Sequence, residues 1–295
     1  MEESKRIQER LDNVRSVEPI LSALRTISMG SWRAALNQMD RVRRYEVHLA
    51  AVVPPLLPHL PIERARRRAA PEFAHAAVLV VGSERGLCGA FNVAAVERVE
   101  AYLAELDGTG VKVDLLALGS RVHRFLQRRD HELSWWGKLS LAKLPSFNLA
   151  LSLTRRWLTQ YEERELDVVD VAHNAYRGTG EYEPTVTRLI PPRPPDDEAA
   201  PSHDPWFPTI VETDPLRLYA RVAEQWTAIS LHRLLLDSAA AEHAARYRLM
   251  ETATQNAEEL IDELTATVQA ARQQAITQEM QELAASAGLI GQQDD

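Results

Sequence analysis

Cysteine is nearly missing from this chain: Cys88 stands alone among 295 residues. An intrachain disulfide is therefore impossible, and a reducing compartment is the default expectation. Aromatic residues make up only 6%, against 45% hydrophobic residues in all. Ala, Leu and Val supply much of the apolar content, which suits helices and closely packed seams rather than a large aromatic core. No apolar run approaches the roughly 18 residues that a membrane-spanning helix needs. The best candidate, "LAAVVPPLLPHLP", is broken by prolines. The charged start "MEESKRIQER" has no apolar centre and does not read as a secretory signal. A basic balance is lacking too. The formal net charge is −8, which argues against non-specific nucleic-acid binding, because that needs a basic face to displace counterions. One local exception, Arg64, Arg66, Arg67 and Arg68 in "IERARRRAAPEF", reads first as a solvated loop and otherwise as a surface for an acidic partner.

Proline and glycine are absent from the segment after Pro215 until Gly288. That leaves about 70 residues of uninterrupted helix-forming composition, on the order of 100 Å as one straight helix at about 1.5 Å per residue. A seven-residue register runs through it. One seam position takes Val222, Ile229, Leu236, His243, Met250, Ala257, Leu264 and Ala271. The other takes Trp226, Arg233, Ala240, Tyr247, Thr254, Ile261, Val268 and Ala275. A sustained heptad pattern predicts a left-handed coiled coil. Residues 1–53 also read as helix, interrupted early near Pro19 and stopped at "VVPPLLPHLP". This helix is the natural partner for the long one.

The middle of the chain differs. "AAVLVVG", "VKVDLLALG" and "LDVVDVAHNAY" are short, apolar and rich in β-branched residues, and helical patterns lie near 91–106, 120–129 and 146–163. Strands alternating with helices predict a mostly parallel α/β layer. "NAYRGTGEYEPTVTRLI" predicts a final antiparallel hairpin turning near Gly178 and Gly180. Residues 191–205, "PPRPPDDEAAPSHDP", read as a loop or linker. The fold class expected is therefore α/β plus long terminal helices: an antiparallel coiled coil of both termini with an inserted Rossmann-like α/β domain. The boundaries expected are 1–60, 61–205 and 206–295.

Chemistry is poorly represented. "GSERGLCGAFN", residues 82–92, sits between a strand and a helix as a phosphate loop would. Yet it lacks the P-loop lysine and the dinucleotide glycine spacing, and Glu84 adds a negative charge. It reads as a structural turn built from Gly82, Arg85, Gly86, Cys88, Gly89 and Asn92, with no cofactor. The nine histidines contain no H-x-x-x-H pair, and the G-x-S-x-G hydrolase signature is absent. Glu258, Glu259, Asp262 and Glu263 read as a solvated helical face. Trp135 and Trp136 in "SWWG" read as core or interface mass. No catalytic, cofactor or metal constellation emerges, which suits a mechanical or scaffolding chain better than an enzyme.

Three stretches carry a family resemblance. "SERGLCGAFN" resembles the S-D-R-G-L-C-G-G-x-N signature of the γ subunit of rotary F-type ATP synthases. "ARQQAITQEMQEL", residues 271–283, resembles that family's A-R-Q-x-x-I-T-x-E-x-x-E-I, and "SAAAEHAARYRLMETATQNAEELI" resembles its S-E-x-x-A-R-M-x-A-M-x-x-A-x-x-N-A. The likeness runs from about residue 4 to residue 290. It implies a central rotor shaft: a non-catalytic chain of an ATP-synthesising complex. The partners implied are a hexamer of α and β subunits, an ε-type small subunit and a membrane ring of c subunits. The location implied is peripheral, on the cytoplasmic face of a bacterial membrane, without direct insertion. By position, Arg272, Gln273, Thr277 and Glu279 are implied contacts with the β subunits, and Glu212 in "VETDP" an implied contact on the ring side. The family usually carries V-A-A-S-K-M-R near the end of the first helix, where this chain has "ISMGSWR", residues 27–33, with Gly30, Ser31 and Trp32 as departures. The alternative reading is a coiled-coil scaffold or tether with a non-catalytic α/β domain.

Overall fold

The computed structural model describes residues 2–56, 74–191 and 212–290. The expected boundaries at 60/61 and 205/206, the arginines at 64–68 and the proline-rich acidic stretch after Pro191 lie outside the described residues. The described elements are α1 (Glu2–Leu56), β1 (His75–Val81), α2 (Phe91–Leu106), β2 (Lys112–Leu118), α3 (Ser120–Arg128), β3 (Trp135–Gly137), α4 (Phe147–Glu162), β4 (Val168–Gly178), β5 (Glu181–Ile190) and α5 (Pro215–Ile290). Contacts divide the chain into two units, residues 28–246 and residues 1–27 with 247–295.

The larger unit is built on a five-stranded sheet of order β3-β2-β1-β4-β5. Four strands are parallel, and β5 returns antiparallel to β4. The hairpin bends where Gly178 and Gly180 take positive φ. The period of two along β1 explains both faces. Ala77, Leu79 and Val81 face a core that includes Trp157 of α4 and Leu231, Leu234 and Leu235 of α5. Val78 and Val80 face the other way, onto Val96 and Val99 of α2 and Val122 and Leu126 of α3. A strand covered on both sides reads as a continuous apolar run, which is why "AAVLVV" does not alternate. α4 starts where Ser146 Oγ accepts from the Leu149 N–H at 3.3 Å, an N-cap that satisfies one orphan donor of the first turn. The strand β3, made of residues read only as aromatic mass, is a three-residue parallel addition at the sheet edge.

Within this unit α1 and α5 run antiparallel. Val42 packs with Ile229 and Leu236, and Leu56 with Val222, so the partner number falls as the α1 number rises. Arg233, an impurity in the seam, reaches Glu46 at 3.2 Å. Trp32, one of the departures, stands 6.1 Å from Tyr176 of β4 by ring centroids, tilted by 57°. It thus fastens α1 to the sheet.

In the smaller unit, α1 carries buried Leu11, and α5 carries buried Met250, Thr254, Ala257 and Leu264. Arg15 Nη2 donates to Thr265 Oγ1 at 3.2 Å. Thr254 is tolerated inside because its hydroxyl donates to the Met250 carbonyl at 2.8 Å.

Two expectations need correction. α1 is not interrupted near Pro19, nor does it stop before Pro54 and Pro55: it is one helix of 55 residues. Pro19 is exposed, so its ring meets solvent, and its missing N–H removes one rung of a ladder held on either side by its neighbours. The heptad register also fades. Its first position is buried at Leu264 but only half-buried at Ala271, and Ala275 in the second is exposed.

Candidate partner interface and the glycine-rich turn

The turn after β1 is held by side chains that the sequence reading placed together. Asn92, at the start of α2, is buried and accepts from the Ser83 N–H at 2.9 Å while its amide donates to Ser83 Oγ at 2.8 Å. The Cys88 thiol lies 3.5 Å from the same amide. Burial pushes that thiol up from its ordinary pKa, so it stays protonated and is a packing group rather than a nucleophile. Gly82 cannot carry a side chain, because a Cβ there would stand 2.4 Å from Val122 Cβ. Gly89 has φ +59°, and Leu87 beside it takes φ 62° with its side chain exposed. Gly86 leaves room for Arg121, whose Nη2 would be 3.2 Å from a Cβ. Arg85 contributes its carbonyl, which accepts from Ser83 Oγ at 2.6 Å.

Glu84 ties the turn to α3. Its carboxylate accepts from the Ser120 N–H at 3.1 Å, from the Ser120 hydroxyl and from the Leu139 N–H at 3.0 Å. Burial works against its charge, but the hydrogen bonds from Ser120 and Leu139 outweigh that and hold the carboxyl below the usual range. The chain thus places its own anion at the N-terminus of α3, where an external anion would otherwise be favoured.

Arg246 of α5 closes the turn from the other side, and the residue-by-residue reading missed it. Its Nε donates to the Gly86 carbonyl at 3.2 Å and its Nη2 to the Arg85 carbonyl at 3.3 Å, while Glu242 pairs with the same guanidinium. His243, against it, is driven down to a pKa of about 4 by burial and by the Arg246 charge. The available signal was an Arg and a Glu four apart inside an alanine-rich stretch, a spacing that puts both on one helix face.

The implied contact residues lie elsewhere. Residues 272–286 of α5 are exposed without exception. Arg272 and Glu279 are one heptad apart, on the face that also carries Ile276, whereas Gln273 and Thr277 share the adjacent strip, at about 100° per residue. The Thr277 hydroxyl donates to the Gln273 carbonyl at 2.8 Å. Ile276, Met280 and Leu283 are 49%, 66% and 64% exposed. They form an apolar stripe at i, i+4 and i+7 that the seam assignment did not include. Glu212, just before α5, is exposed. It belongs to the larger unit, and the other four to the smaller one. Among the described residues no group of three or more His, Cys, Asp or Glu could hold a metal ion, and no helix is long and apolar enough to cross a membrane.

Comparison with known proteins gives these observations a setting. The family model described as ATP synthase matches residues 3–288. The ATP synthase gamma chain of Synechocystis sp. is 30% identical, with 97% of this chain and 99% of that protein covered. The ATP synthase gamma chain of Geotalea daltonii is 28% identical, with 97% and 98% covered. Among solved structures, a chain of the Euglena gracilis mitochondrial ATP synthase, OSCP/F1/c-ring, rotational state 3, superposes with a TM-score of 0.64 at 15% identity, covering 99% of this chain and 96% of that one. A rotor chain of the same enzyme in rotational state 1 gives 0.59 at 14% identity, covering 92% and 98%. The structural likeness establishes a common fold of a mixed sheet with long terminal helices. The sequence match from end to end decides the family: this chain is a member of the ATP synthase γ-chain family.

Proposed function

We propose that the chain is the central rotor shaft of an F-type ATP synthase, coupling ion-driven rotation of a membrane c-ring to ATP synthesis or hydrolysis on an αβ hexamer. The observation that carries this reading is the match to γ chains over nearly the whole length. The exposed end of α5 supports it. A helix with an apolar stripe at Ile276, Met280 and Leu283 leaves that surface to water unless a partner covers it. Arg272, Gln273, Thr277 and Glu279 border or flank the stripe and are assigned to the β subunits. Glu212 is assigned to the ring side. Residues 1–60 and 206–295 form the shaft, and 61–205 its body. An ε-type subunit completes the set of partners, and the complex holds the chain at the cytoplasmic face of a bacterial membrane as a peripheral component.

The mechanism is a population shift. Each angle of an asymmetric shaft makes different contacts with three chemically identical β subunits, so each angle favours a different conformation at each site. The chemistry of ATP is assigned to the partner subunits.

Reconstitution with α and β subunits of the same organism tests this. One copy per hexamer by native mass spectrometry, with ATPase activity dependent on it, is the expected result. In that complex Gln273→Ala with Thr277→Ala should weaken assembly or coupling while leaving the melting temperature of the isolated chain within experimental error. Normal assembly and turnover in the double variant would remove the contact assignment. A stable homodimer that ignores α and β would remove the rotor reading itself.

A further inference from the structure

We propose that the exposed face of α3 is a docking surface for a short, acidic, helical segment of a partner protein. This goes beyond the rotor reading, which uses the terminal helices, and it rests on the α/β body alone.

α3 reads Ser-Arg-Val-His-Arg-Phe-Leu-Gln-Arg and contains no acidic residue. Its buried side carries Val122 and Leu126. Arg121, Arg124 and Arg128 stand at i, i+3 and i+7, which places them in one row about 10 Å long, and all three are exposed. Among the described residues none of the three makes an ion pair. The contrast with the next residue is informative: Arg129 pairs with Glu97 and Glu100 of α2. Arg129 therefore binds α3 to its neighbour, whereas the row of three faces solvent.

An aromatic pair lies on another strip of α3, about 100° around the helix from Arg124. His123 of α3 stacks on Trp136 of β3, with ring centroids 4.2 Å apart and planes within 8°. Trp136 remains 40% exposed, and Lys138 Nζ stands 5.7 Å from its centroid. Exposed arginines, and a part-exposed tryptophan stacked on the same helix, are the residue types enriched among binding hot spots.

Charge decides the occupant. Guanidinium forks match carboxylates bidentately, and an i, i+3, i+7 row matches carboxylates on a second helix with the same spacing. The chain as a whole carries −8, so an extended polyanion, whether an anionic bilayer or a nucleic-acid duplex, meets net repulsion. A short acidic segment senses only charges within a Debye length, about 8–10 Å; there Glu84 is held by Ser120 and Leu139 and Glu97 and Glu100 by Arg129, and the row supplies the unpaired charge.

The test uses the full chain and a fluorescein-labelled helical peptide of about 15 residues with glutamates at i, i+3 and i+7 spacing, followed by anisotropy. Saturable one-to-one binding that weakens with salt is expected. Arg121→Glu, Arg124→Glu and Arg128→Glu together should lower affinity at least about tenfold. Arg124→Gln with Arg128→Gln should lower it without charge reversal, which keeps the test valid if the triple variant folds poorly. Trp136→Ala should lower it by a smaller factor. Three results would overturn the proposal: no saturable binding; glutamine variants that bind as tightly as the natural chain; or a natural chain that sediments with phosphatidylglycerol vesicles and leaves the peptide free.

Discussion

One helix, α5, contains two regions of opposite character. From Thr227 to Ala241 it is buried at nearly every position, apolar residues included on opposite sides. From Arg272 to Ser286 every position is exposed. Helix propensity does not distinguish them, since Ala and Leu dominate the first and Ala, Gln and Glu the second, all good helix formers. Partners do. In the first region Ile229 and Leu236 pack with Val42 of α1 while Leu231, Leu234 and Leu235 pack on the sheet. In the second, no described residue covers the apolar stripe. A helix can therefore be a structural layer along one stretch and a presented surface along another. Stability depends on the first stretch; recognition is the role proposed for the second.

This contrast is breakable by substitution. The largest loss of stability is expected at the end of the buried region. Arg246→Ala strips the partner from Glu242, whose carboxyl burial already pushes up, and releases the carbonyls of Arg85 and Gly86. Breaking a buried pair from one side costs about 3–5 kcal/mol, and urea denaturation should show it. A result below about 1 kcal/mol would mean that the turn holds itself without α5.

A matched pair of leucines tests the contrast directly. Leu235→Ala, at 1% exposure, should cost about 2–5 kcal/mol. Leu283→Ala, at 64% exposure, should stay within about 0.5 kcal/mol, yet weaken association with α and β subunits. Equal thermal shifts would erase the distinction between layer and surface.

A small gain in stability, rather than a loss, is expected at Gly30→Ala. Gly30 is exposed within α1, and a Cβ there would meet nothing within 4 Å. Neither packing nor backbone conformation requires glycine, so alanine should add about 0.5–1 kcal/mol. A loss of stability instead would sharpen the question of what this departure from the family pattern does.

Much of the architecture was legible before any coordinates. The three buried strands, the final hairpin and the limits of α2 follow from apolar runs and periodicity. The long C-terminal helix follows from the absence of proline and glycine. The glycines of the turn were legible as a tight turn, whereas the hydrogen bonds of Glu84 to Ser120 and Leu139 were not. What was not legible is equally specific. β3 is too short to show a period. Pro19 looked like an interruption because sequence rules price a lost hydrogen bond without the 55-residue helix around it. The second buried face of α5 was hidden by the heptad reading, which accounts for Ile229 and Leu236 and leaves Leu231, Leu234 and Leu235 without a role.

The sequence by itself determined local state and class: which segments are helix or strand, where glycine is obligatory, and that no metal or phosphate chemistry is written in the usual motifs. Its signatures were enough for the family. Only the tertiary structure decided how each local feature is used. Arg129 is neutralised while Arg121, Arg124 and Arg128 are not, and Glu84 becomes the cap of a helix 36 residues further along. Leu235 is core and Leu283 is surface. The physical reason is that periodicity and propensity act within about one helical turn, whereas burial and charge pairing depend on which distant segment arrives at the other side.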